Sequence, residues 1–377
     1  MCSGKRWDRL YLGLAAGGRG LRAGRFLGGV RFPRACPGLC RVGCGFWCKA
    51  VLLKRGIIPT IPLFMGKKQK KERSDFVDRL VYFALRFVSM VMHCAPVNSN
   101  LRTAKAIGDL LYRFDRKHRE RALANLRRSF PLMSEREREG LARRSMQEIP
   151  MLGVEVLFTT RLVRIDTWRK YVDLDQFRQT LALLLSRERG LIVLTAHYGN
   201  FEILGYVLAL IGFPTSSVAR PLDNKYVSDW LFGVREKMGQ KIILKKGATD
   251  EVVDVLNRKG TVAFVADQNA GSKGVFIDFF GRKAATYKSI GLVAMQYEVP
   301  IAVGYARRIN DEFRFKVGVQ DIIYPEDWKS QADPLRYITQ RYSSAIEAFV
   351  REDPGQYWWV HRRWKTRPKG EVAEAYD

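Results

Sequence analysis

Short apolar runs alternate with amphipathic segments through the second half of the chain. Gly190 precedes a mainly apolar run, Leu191 to Ala196, whose length and flanks predict a buried strand. Similar runs predict further strands at 215–219, 241–244, 261–266, 275–280, 299–305 and 313–319. Segments with helical spacing separate several of these runs, at 201–211, 226–238, 250–258 and 287–297, and a last helix is predicted at 334–352. The alternation predicts an α/β fold with a largely parallel central sheet flanked by helices.

From about residue 100 to residue 183, the apolar residues recur with the period of a helix instead. Apolar residues recur at helical spacing from Arg102 to Leu126. After Pro131, Ser134 precedes Glu137 by three residues, and this capping-box spacing predicts the start of another helix. We therefore expect a helical N-terminal part ahead of the sheet.

An apolar stretch from Phe76 to Ala95 follows a basic run at Lys67–Lys71. Four ionisable residues interrupt the stretch: Asp78, Arg79, Arg86 and His93. The three basic ones lie seven residues apart and share one helix face, opposite the apolar residues Val77, Val81, Ala84, Val88 and Val91. This pattern predicts a basic amphipathic helix in a membrane interface. Two alternatives stay open: a helix docked on the domain with its basic stripe in solvent, and a short spanning helix with snorkelling arginines.

The charge balance is strongly basic. The 377 residues include 65 Lys and Arg against 38 Asp and Glu, which gives a formal net charge of +27. A positive charge of this size attracts nucleic acid, anionic membrane surfaces or acidic proteins, and the charge alone does not distinguish among these partners. Because no recognised nucleic-acid module is present, a nonenzymatic nucleic-acid-binding protein is only a distant alternative, and no nucleic-acid partner is predicted.

Residues 1–64 differ from the rest of the chain, with twelve Lys or Arg, a single acid and five of the six cysteines. Four cysteines recur at every fourth position, Cys36, Cys40, Cys44 and Cys48, but prolines and glycines between them would interrupt a helix that aligned the thiols, and no metal site is predicted. We interpret residues 1–64 as a disordered or spurious basic extension, since Met65 is a plausible start. Residues 65–98 would hold the basic run and the membrane-associated helix, and residues 99–377 the main domain.

Candidate chemistry follows the strand predicted at Leu191 to Ala196. Residues 195–202 read TAHYGNFE, and in open α/β sheets ligands bind beyond the carboxyl ends of strands. Gly199 permits a tight turn that would bring the Glu202 carboxylate to the His197 imidazole. His197 would then accept a proton from a substrate hydroxyl, because this turn contains no serine or cysteine nucleophile. On spacing and position alone, a structural role for His197 is favoured over a catalytic one.

Further segments carry a resemblance to a known family. They are Arg220 to Asn224 (RPLDN), Asp267 to Gly281 (DQNAGSKGVFIDFFG) and Trp359 to Pro368 (WVHRRWKTRP), together with Asn125-Leu126 and Phe130-Pro131. With the HYGNFE form of the His-x4-Glu motif, they resemble the bacterial lipid A biosynthesis acyltransferases, lauroyl and myristoyl transferases of the lysophospholipid acyltransferase superfamily. The resemblance covers about residues 75–368, and residues 1–64 have no counterpart in it.

The resemblance implies a glycerol-3-phosphate-acyltransferase-like fold with an N-terminal membrane-associated helix. It implies acyl transfer from acyl-acyl carrier protein, or less often acyl-CoA, to a hydroxyl of a lipid A precursor at the cytoplasmic face of the bacterial inner membrane. His197 would be the base and Glu202 its partner. A role in substrate binding or oxyanion support is implied for four more residues: Asn200, Arg220, Asp267 and Gln268. The expected partners are acyl carrier protein, an anionic lipid acceptor and the membrane surface, with no cofactor beyond the acyl donor and no metal.

The residues by themselves leave several roles open. Arg220 would pair with Glu202 or with a lipid phosphate, and Asp267 would position substrate or hold Arg220. A basic surface suited to an acidic carrier protein or a phosphorylated lipid would include Lys245, Lys246 and the Arg362–Arg363 pair. We expect His361 to order the C-terminal tail. An acceptor other than a lipid A precursor, such as a lysophospholipid, glycolipid or amino-acid lipid, is the nearest alternative.

Overall fold

The computed structural model describes residues 74–237, 239–244 and 247–371, which all belong to one compact unit. Four helices come first: α1 (Asp75–Met92), α2 (Val97–Phe114), α3 (Arg116–Ser129) and α4 (Glu135–Leu162). Asp115 separates α2 from α3 and caps α3 with its side chain. The predicted capping box is confirmed, because Ser134 and Glu137 exchange hydrogen bonds at the start of α4. The predictions for residues 1–64, their cysteines and Lys67–Lys71 fall outside the described residues.

The remaining elements mostly alternate between strand and helix. In chain order they are α5 (Trp168–Tyr171), β1 (Val172–Asp175), α6 (Arg178–Ser186), β2 (Leu191–Thr195), α7 (Phe201–Leu210), β3 (Thr215–Ala219), α8 (Lys225–Glu236), β4 (Lys241–Leu244), α9 (Ala248–Asn257), β5 (Thr261–Val265), β6 (Val275–Phe279), β7 (Arg282–Thr286), α10 (Lys288–Tyr297), β8 (Ile301–Arg308), β9 (Phe315–Ile323), α11 (Pro325–Lys329) and α12 (Pro334–Glu352). A short 3-10 turn, Pro354–Gln356, leads into the C-terminal tail.

Seven strands form the central sheet in the order β1-β9-β8-β2-β5-β3-β4. The strands from β8 to β4 are mutually parallel, while β9 runs antiparallel to β8 and β1 runs parallel to β9. Every residue of β2 is buried between the two apolar layers that cover the sheet. The predicted α/β fold with a largely parallel sheet flanked by helices is therefore confirmed.

Two parts of the chain differ from the prediction. β1 lies in a segment that was predicted to be helical, and it is held at the sheet edge by pairing with β9. The run predicted at 275–280 forms β6, which leaves the central sheet and pairs antiparallel with β7. The reversal occurs at Phe280 and Gly281, whose φ values of 52° and 69° are those of a primed hairpin turn.

Helix α1 contacts the body of the protein with its polar side. Asp78 and Ser89 are its buried residues, and Asn224 Nδ2 donates to the Asp78 carbonyl oxygen at 2.9 Å. The guanidinium groups of Arg79 and Arg86 lie 5.3 and 5.4 Å from the rings of Tyr226 and Trp230 of α8. The alternative of a helix docked on the domain is therefore observed, although its arginines also contact aromatic rings of α8 and are not only in solvent.

The apolar side chains of α1 point away from the protein. The exposed large ones are Phe76, Val77, Leu80, Val81, Phe83, Leu85, Phe87, Val88, Met90 and Val91. No helix within residues 74–237, 239–244 and 247–371 combines the length and hydropathy that a membrane span needs. The alternative of a short spanning helix is not supported for α1, which Asp78, Arg79 and Arg86 interrupt.

Candidate active site

His197 and Asp267 meet at the carboxyl edge of the central sheet. The ends of β2 and β5 are in register, with Thr195 opposite Val265, so the residues two positions further along each strand face each other. The His197 backbone N–H donates to Asp267 Oδ2 at 3.0 Å, and His197 Nδ1 lies 2.7 Å from Asp267 Oδ1. Asp267 is only 1% exposed. One carboxylate therefore fixes both the backbone and the ring of the histidine.

The ionisation of Asp267 sets the tautomer of His197. Burial by itself raises the pKa of Asp267, but the charge and the two hydrogen bonds of His197 outweigh burial and hold this pKa well below its usual range. An ionised carboxylate only accepts hydrogen bonds, so Nδ1 of the imidazole carries a proton. In the neutral imidazole Nε2 is then the proton acceptor, and Gln268 Nε2 lies 3.4 Å from it. This arrangement suits a general base acting through Nε2.

Glu202 has a different partner from the one predicted. It lies in the first turn of α7, and its carboxylate forms an ion pair with Arg235 of α8. The position at His197 Nδ1 belongs to Asp267, so the predicted contact between Glu202 and His197 is corrected. The reason is that strand register brings Asp267 to the ring, whereas the helix that begins at Phe201 directs Glu202 toward α8. A catalytic role for either carboxylate stays a prediction.

Arg220 lies apart from these groups. Its side chain is 77% exposed in the loop after β3, and its Nη2 atom is 4.0 Å from Asp223 Oδ1. The predicted pairing of Arg220 with Glu202 is wrong, because Arg235 occupies that carboxylate. Within the described residues no hydrogen bond or ion pair joins Arg220 to His197 or Asp267, so the idea that Asp267 holds Arg220 is also corrected.

Asn200 holds the turn and is fully buried. Its Oδ1 atom caps α7 by accepting from the Ile203 N–H at 3.0 Å, and its backbone N–H donates to the Ala306 carbonyl oxygen at 3.0 Å. Asn200 therefore positions the turn through its Oδ1 atom and its backbone N–H, and its predicted role in substrate binding or oxyanion support stays a prediction. The first N–H groups of α7 beyond Asn200 precede any intrahelical acceptor.

Gly199 is required by the shape of this turn. Its φ is +50°, and a Cβ atom here would lie far inside van der Waals contact with the Ala306 carbonyl oxygen. Its N–H donates to the Gln356 carbonyl oxygen at 3.0 Å, and Trp358 N–H donates to the His197 carbonyl oxygen at 3.0 Å. The C-terminal tail thus crosses the turn and adds a backbone hydrogen bond to those that Asp267 makes with His197.

The tail also contributes side chains that the sequence reasoning did not place in the site. The rings of His361 and Trp358 lie 4.5 and 5.2 Å from the His197 ring. Arg363 is buried and donates to the Ala285 carbonyl oxygen at 2.8 Å and the Gln268 carbonyl oxygen at 3.3 Å. Arg363 therefore supports the segment after Asp267 and is not part of a basic surface. The clustering of aromatic and basic residues in WVHRRWKTRP was the sequence feature that could have indicated that the tail lies in the site. Lys245 and Lys246 lie outside the described residues.

A buried ionic cluster lies behind the turn. Arg308, at the end of β8, donates to Glu148 Oε1 at 2.8 Å and also pairs with Glu155, both on α4. Gln356 Nε2 donates to the Arg308 carbonyl oxygen at 2.9 Å and Arg308 N–H donates to Gln356 Oε1 at 2.8 Å. Burial raises the pKa of Glu155 to about 7, with Arg308 opposing the rise. The cluster connects α4 to the tail that holds His197.

The site offers base chemistry. Within the described part of the chain no group of three or more His, Cys, Asp or Glu residues is arranged to hold a metal ion. The turn TAHYGNFE contains no serine or cysteine that could act as a nucleophile. The geometry can accept a proton from a bound hydroxyl and return it to a leaving group.

Known proteins resemble this chain over most of its length. Residues 67–366 match the family model described as bacterial lipid A biosynthesis acyltransferase. The chain is 26% identical over 275 residues to the lipid A biosynthesis lauroyltransferase of Escherichia coli (strain K12), covering 71% of this chain and 86% of that protein. It is 26% identical over 273 residues to the palmitoleoyltransferase of the same organism, covering 71% and 85%, and 24% identical over 278 residues to its myristoyltransferase, covering 71% and 81%.

Proposed function

Since the chain belongs to the bacterial lipid A biosynthesis acyltransferase family, we propose that it transfers a fatty acyl group from an acyl-carrier-protein thioester to a hydroxyl of a lipid A precursor. The resemblance inferred from the sequence motifs is confirmed by the family match, and the chain is an acyltransferase. The observation that carries the mechanism is the pairing of His197 Nδ1 with the buried Asp267 carboxylate.

The transfer needs one proton to move twice. The acceptor hydroxyl oxygen forms a bond to the thioester carbonyl carbon while His197 Nε2 takes the hydroxyl proton. Asp267 stabilises the imidazolium that forms, because its negative charge lies 2.7 Å from Nδ1. The tetrahedral intermediate then breaks its C–S bond, and the imidazolium returns the proton to the departing thiolate. The products are the acylated lipid and the free carrier thiol.

The surroundings of His197 support this reaction. The Phe201 ring lies 5.1 Å from the His197 ring, so the amino-terminal end of α7 is adjacent to the base. Free N–H groups and the positive end of a helix stabilise a developing oxyanion. The Glu202–Arg235 ion pair joins α7 to α8, and we assign Glu202 the role of positioning α7.

We further propose that α1 lies in the interface of the bacterial inner membrane, on its cytoplasmic face. The support comes from the orientation of α1, whose polar side contacts α8 while its large apolar side chains point outward. An amphipathic helix with an outward apolar surface is suited to the boundary between lipid headgroups and acyl chains. Because the proposed acceptor is a lipid, this placement would bring the site to its substrate.

The reaction is tested with the purified full chain, an acyl-carrier-protein thioester or acyl-CoA, and a tetra-acylated lipid A precursor. Products are measured by mass spectrometry. We expect one added acyl group with wild type, none with His197→Ala, and normal product with the control His118→Ala, which changes a histidine on α3. Product from acyl-CoA alone would contradict the proposed donor. Product only with a lysophospholipid or another lipid acceptor would contradict the proposed acceptor.

A further inference from the structure

The C-terminal half of α2 presents an apolar surface of its own, the α2 surface. Its four exposed apolar side chains recur at helical spacing: Ile107, Leu110, Leu111 and Phe114. Phe114 is 75% exposed and Leu110 is 55% exposed. The residues that α2 buries lie on another face, which packs on α4: Leu101, Ala104 and Gly108. A Cβ atom at Gly108 would clash with Gln147 of α4, so α2 is packed too closely to turn its exposed side chains inward.

The corner between α2 and α3 is held in place by polar contacts. Asp115 caps α3 by accepting from the His118 N–H at 3.2 Å, and its Oδ2 atom lies 2.6 Å from His118 Nδ1. Arg119 Nη1 donates to two carbonyl oxygens at the end of α2, at 3.0 and 3.1 Å. These contacts satisfy acceptors that a helix end leaves open. The corner is therefore well ordered, although the ring of Phe114 at its tip is exposed.

Three positive charges border the α2 surface. Arg113, Arg116 and Lys117 are exposed, and none of them forms an ion pair within the described residues. The two acids between positions 103 and 117 are engaged, because Asp109 accepts from an arginine of α4 at 2.6 and 2.7 Å and Asp115 caps α3. The corner thus combines apolar side chains with cations that have no acidic partner. This combination matches an anionic bilayer, in which acyl chains lie beneath phosphate headgroups.

Helix α3 connects the corner to the tail that crosses the active site. Lys117 lies about one helical turn before Arg121, whose Nη1 atom donates to a carbonyl oxygen of the tail at 3.2 Å. Asn125, about one turn further on, donates to the His361 carbonyl oxygen at 3.1 Å. The His361 ring lies 4.5 Å from the His197 ring. Two turns of one helix therefore join the corner to the part of the tail that contacts the general base.

We propose that the α2 surface is a second membrane contact, in which its apolar side chains enter an anionic bilayer and the three cations bind phosphate headgroups. The contact goes beyond the one proposed for α1, because a separate helix carries it. Contacts on two helices would fix the orientation of the domain on the bilayer, which a contact on one helix does not. A lipid surface fits better than an acidic protein, since acidic side chains would pair with the cations but would not bury the apolar side chains.

Cosedimentation of the full chain with vesicles tests the contact. Leu110→Ser/Phe114→Ser removes two apolar side chains, and we expect its partitioning onto phosphatidylglycerol vesicles to weaken by at least about tenfold. Arg116→Gln/Lys117→Gln removes two charges and should weaken partitioning onto the same vesicles by roughly tenfold. The charge variant should bind phosphatidylcholine vesicles as wild type does, because these carry no net charge.

Matched controls lie on or next to α6. This helix ends before β2 begins, at the sheet edge opposite the one where His197 follows β2. Leu185→Ser removes a side chain that is 69% exposed, and Arg178→Gln/Arg187→Gln removes two exposed cations. Both controls should bind vesicles like wild type. Thermal unfolding of each variant checks that the fold is retained.

The outcomes separate this contact from α1 and from the proposed reaction. A Leu110→Ser/Phe114→Ser variant that binds like Leu185→Ser overturns the inference, and loss of binding in Phe83→Ser/Phe87→Ser alone would leave membrane contact to α1. Unchanged vesicle binding by the charge variant, with a raised KM for the carrier-protein thioester in detergent, would assign the cations to the carrier protein and also overturn it. A wild type that binds vesicles but transfers no acyl group would contradict only the proposed function.

Discussion

The pairing of His197 with Asp267 follows from where two neighbouring strands end. β2 and β5 stop in register, and the polar residue two positions beyond each strand faces the other. Glu202, although only five residues from His197 in sequence, is carried away by the first turn of α7 and pairs with Arg235. Proximity along the chain was therefore a poor guide to the carboxylate that contacts the imidazole.

Replacing Asp267 by asparagine tests the orienting carboxylate. The amide keeps the shape of the side chain but removes the charge, and it can hold the wrong tautomer by donating to Nδ1. We expect kcat to fall on the order of 10³–10⁴-fold, as for the equivalent change in a Ser-His-Asp triad. Steady-state kinetics measures the loss, and Glu202→Gln is compared in parallel. A normal Asp267→Asn beside an inactive Glu202→Gln would return the orienting role to Glu202.

At the scale of elements, α1 reverses the usual arrangement of an amphipathic helix on a globular domain. Its polar residues Asp78 and Ser89 are buried, and Arg79 and Arg86 stack on aromatic rings of α8. The exposed side chains include Phe83 at 64% and Phe87 at 62% of their surface. Such an apolar surface costs free energy in water and is stabilised by contact with lipid.

The double substitution Phe83→Ser/Phe87→Ser tests the outward surface of α1. Burying one phenylalanine side chain contributes about 1.5–3 kcal/mol, so we expect partitioning onto phosphatidylglycerol vesicles to weaken by at least about tenfold. Cosedimentation measures the bound fraction. Leu132→Ser, which removes a fully exposed apolar side chain between α3 and α4, is the control and should bind like wild type. Equal binding by the double variant would place membrane contact elsewhere in the chain.

At the scale of the whole molecule, the buried cluster of Arg308, Glu148 and Glu155 joins the helical N-terminal part to the sheet. Two carboxylates share one guanidinium in a region that excludes water, so the second carboxylate is costly to ionise. The pKa of Glu155 is accordingly raised from its usual value near 4.5 to about 7 by burial, against the opposing charge of Arg308. The stability of the domain thus depends on the protonation of a group that no solvent contacts.

This cluster predicts a pH dependence of stability. Between pH 4.5 and about 7 the folded protein keeps a proton on Glu155 that the unfolded chain has lost. The free energy of unfolding therefore falls as pH rises through this window. We expect wild type to lose stability from pH 5 to pH 7 more steeply than Glu155→Gln, measured by urea unfolding. Glu139→Gln, an exposed change on the same helix, should follow wild type. Parallel slopes for wild type and Glu155→Gln would contradict the assignment.

The net charge of +27 leads to a second prediction at this scale. An acidic carrier protein would be attracted over distances that salt screens. Raising NaCl from about 50 mM to about 300 mM shortens the screening length roughly twofold, so KM for the acyl-carrier-protein thioester should rise several-fold. The uncharged donor acyl-pantetheine should show little change. An unchanged KM for the carrier thioester would argue against electrostatic recognition of the carrier protein.

The sequence by itself determined the features that depend on near neighbours along the chain. The spacing of hydrophobic residues predicted most strands and helices, with bounds within a few residues of those observed. It could do so because burial of one face of a helix or strand imposes a local period on the sequence. The motifs around His197 and Asp267 identified the family and the edge of the sheet where the site lies. The run that forms β6 was also recognisable as a strand, although its place outside the sheet was not.

Only the tertiary structure decided which distant groups touch. Strand register gave Asp267, not Glu202, to His197, and the tail brought His361 from more than 160 positions away to the same ring. Asp78 and Ser89 of α1 are buried, and its arginines lie against the rings of Tyr226 and Trp230 of α8. Each of these contacts depends on how elements that are far apart in the sequence pack together, and local patterns in the sequence do not specify that packing.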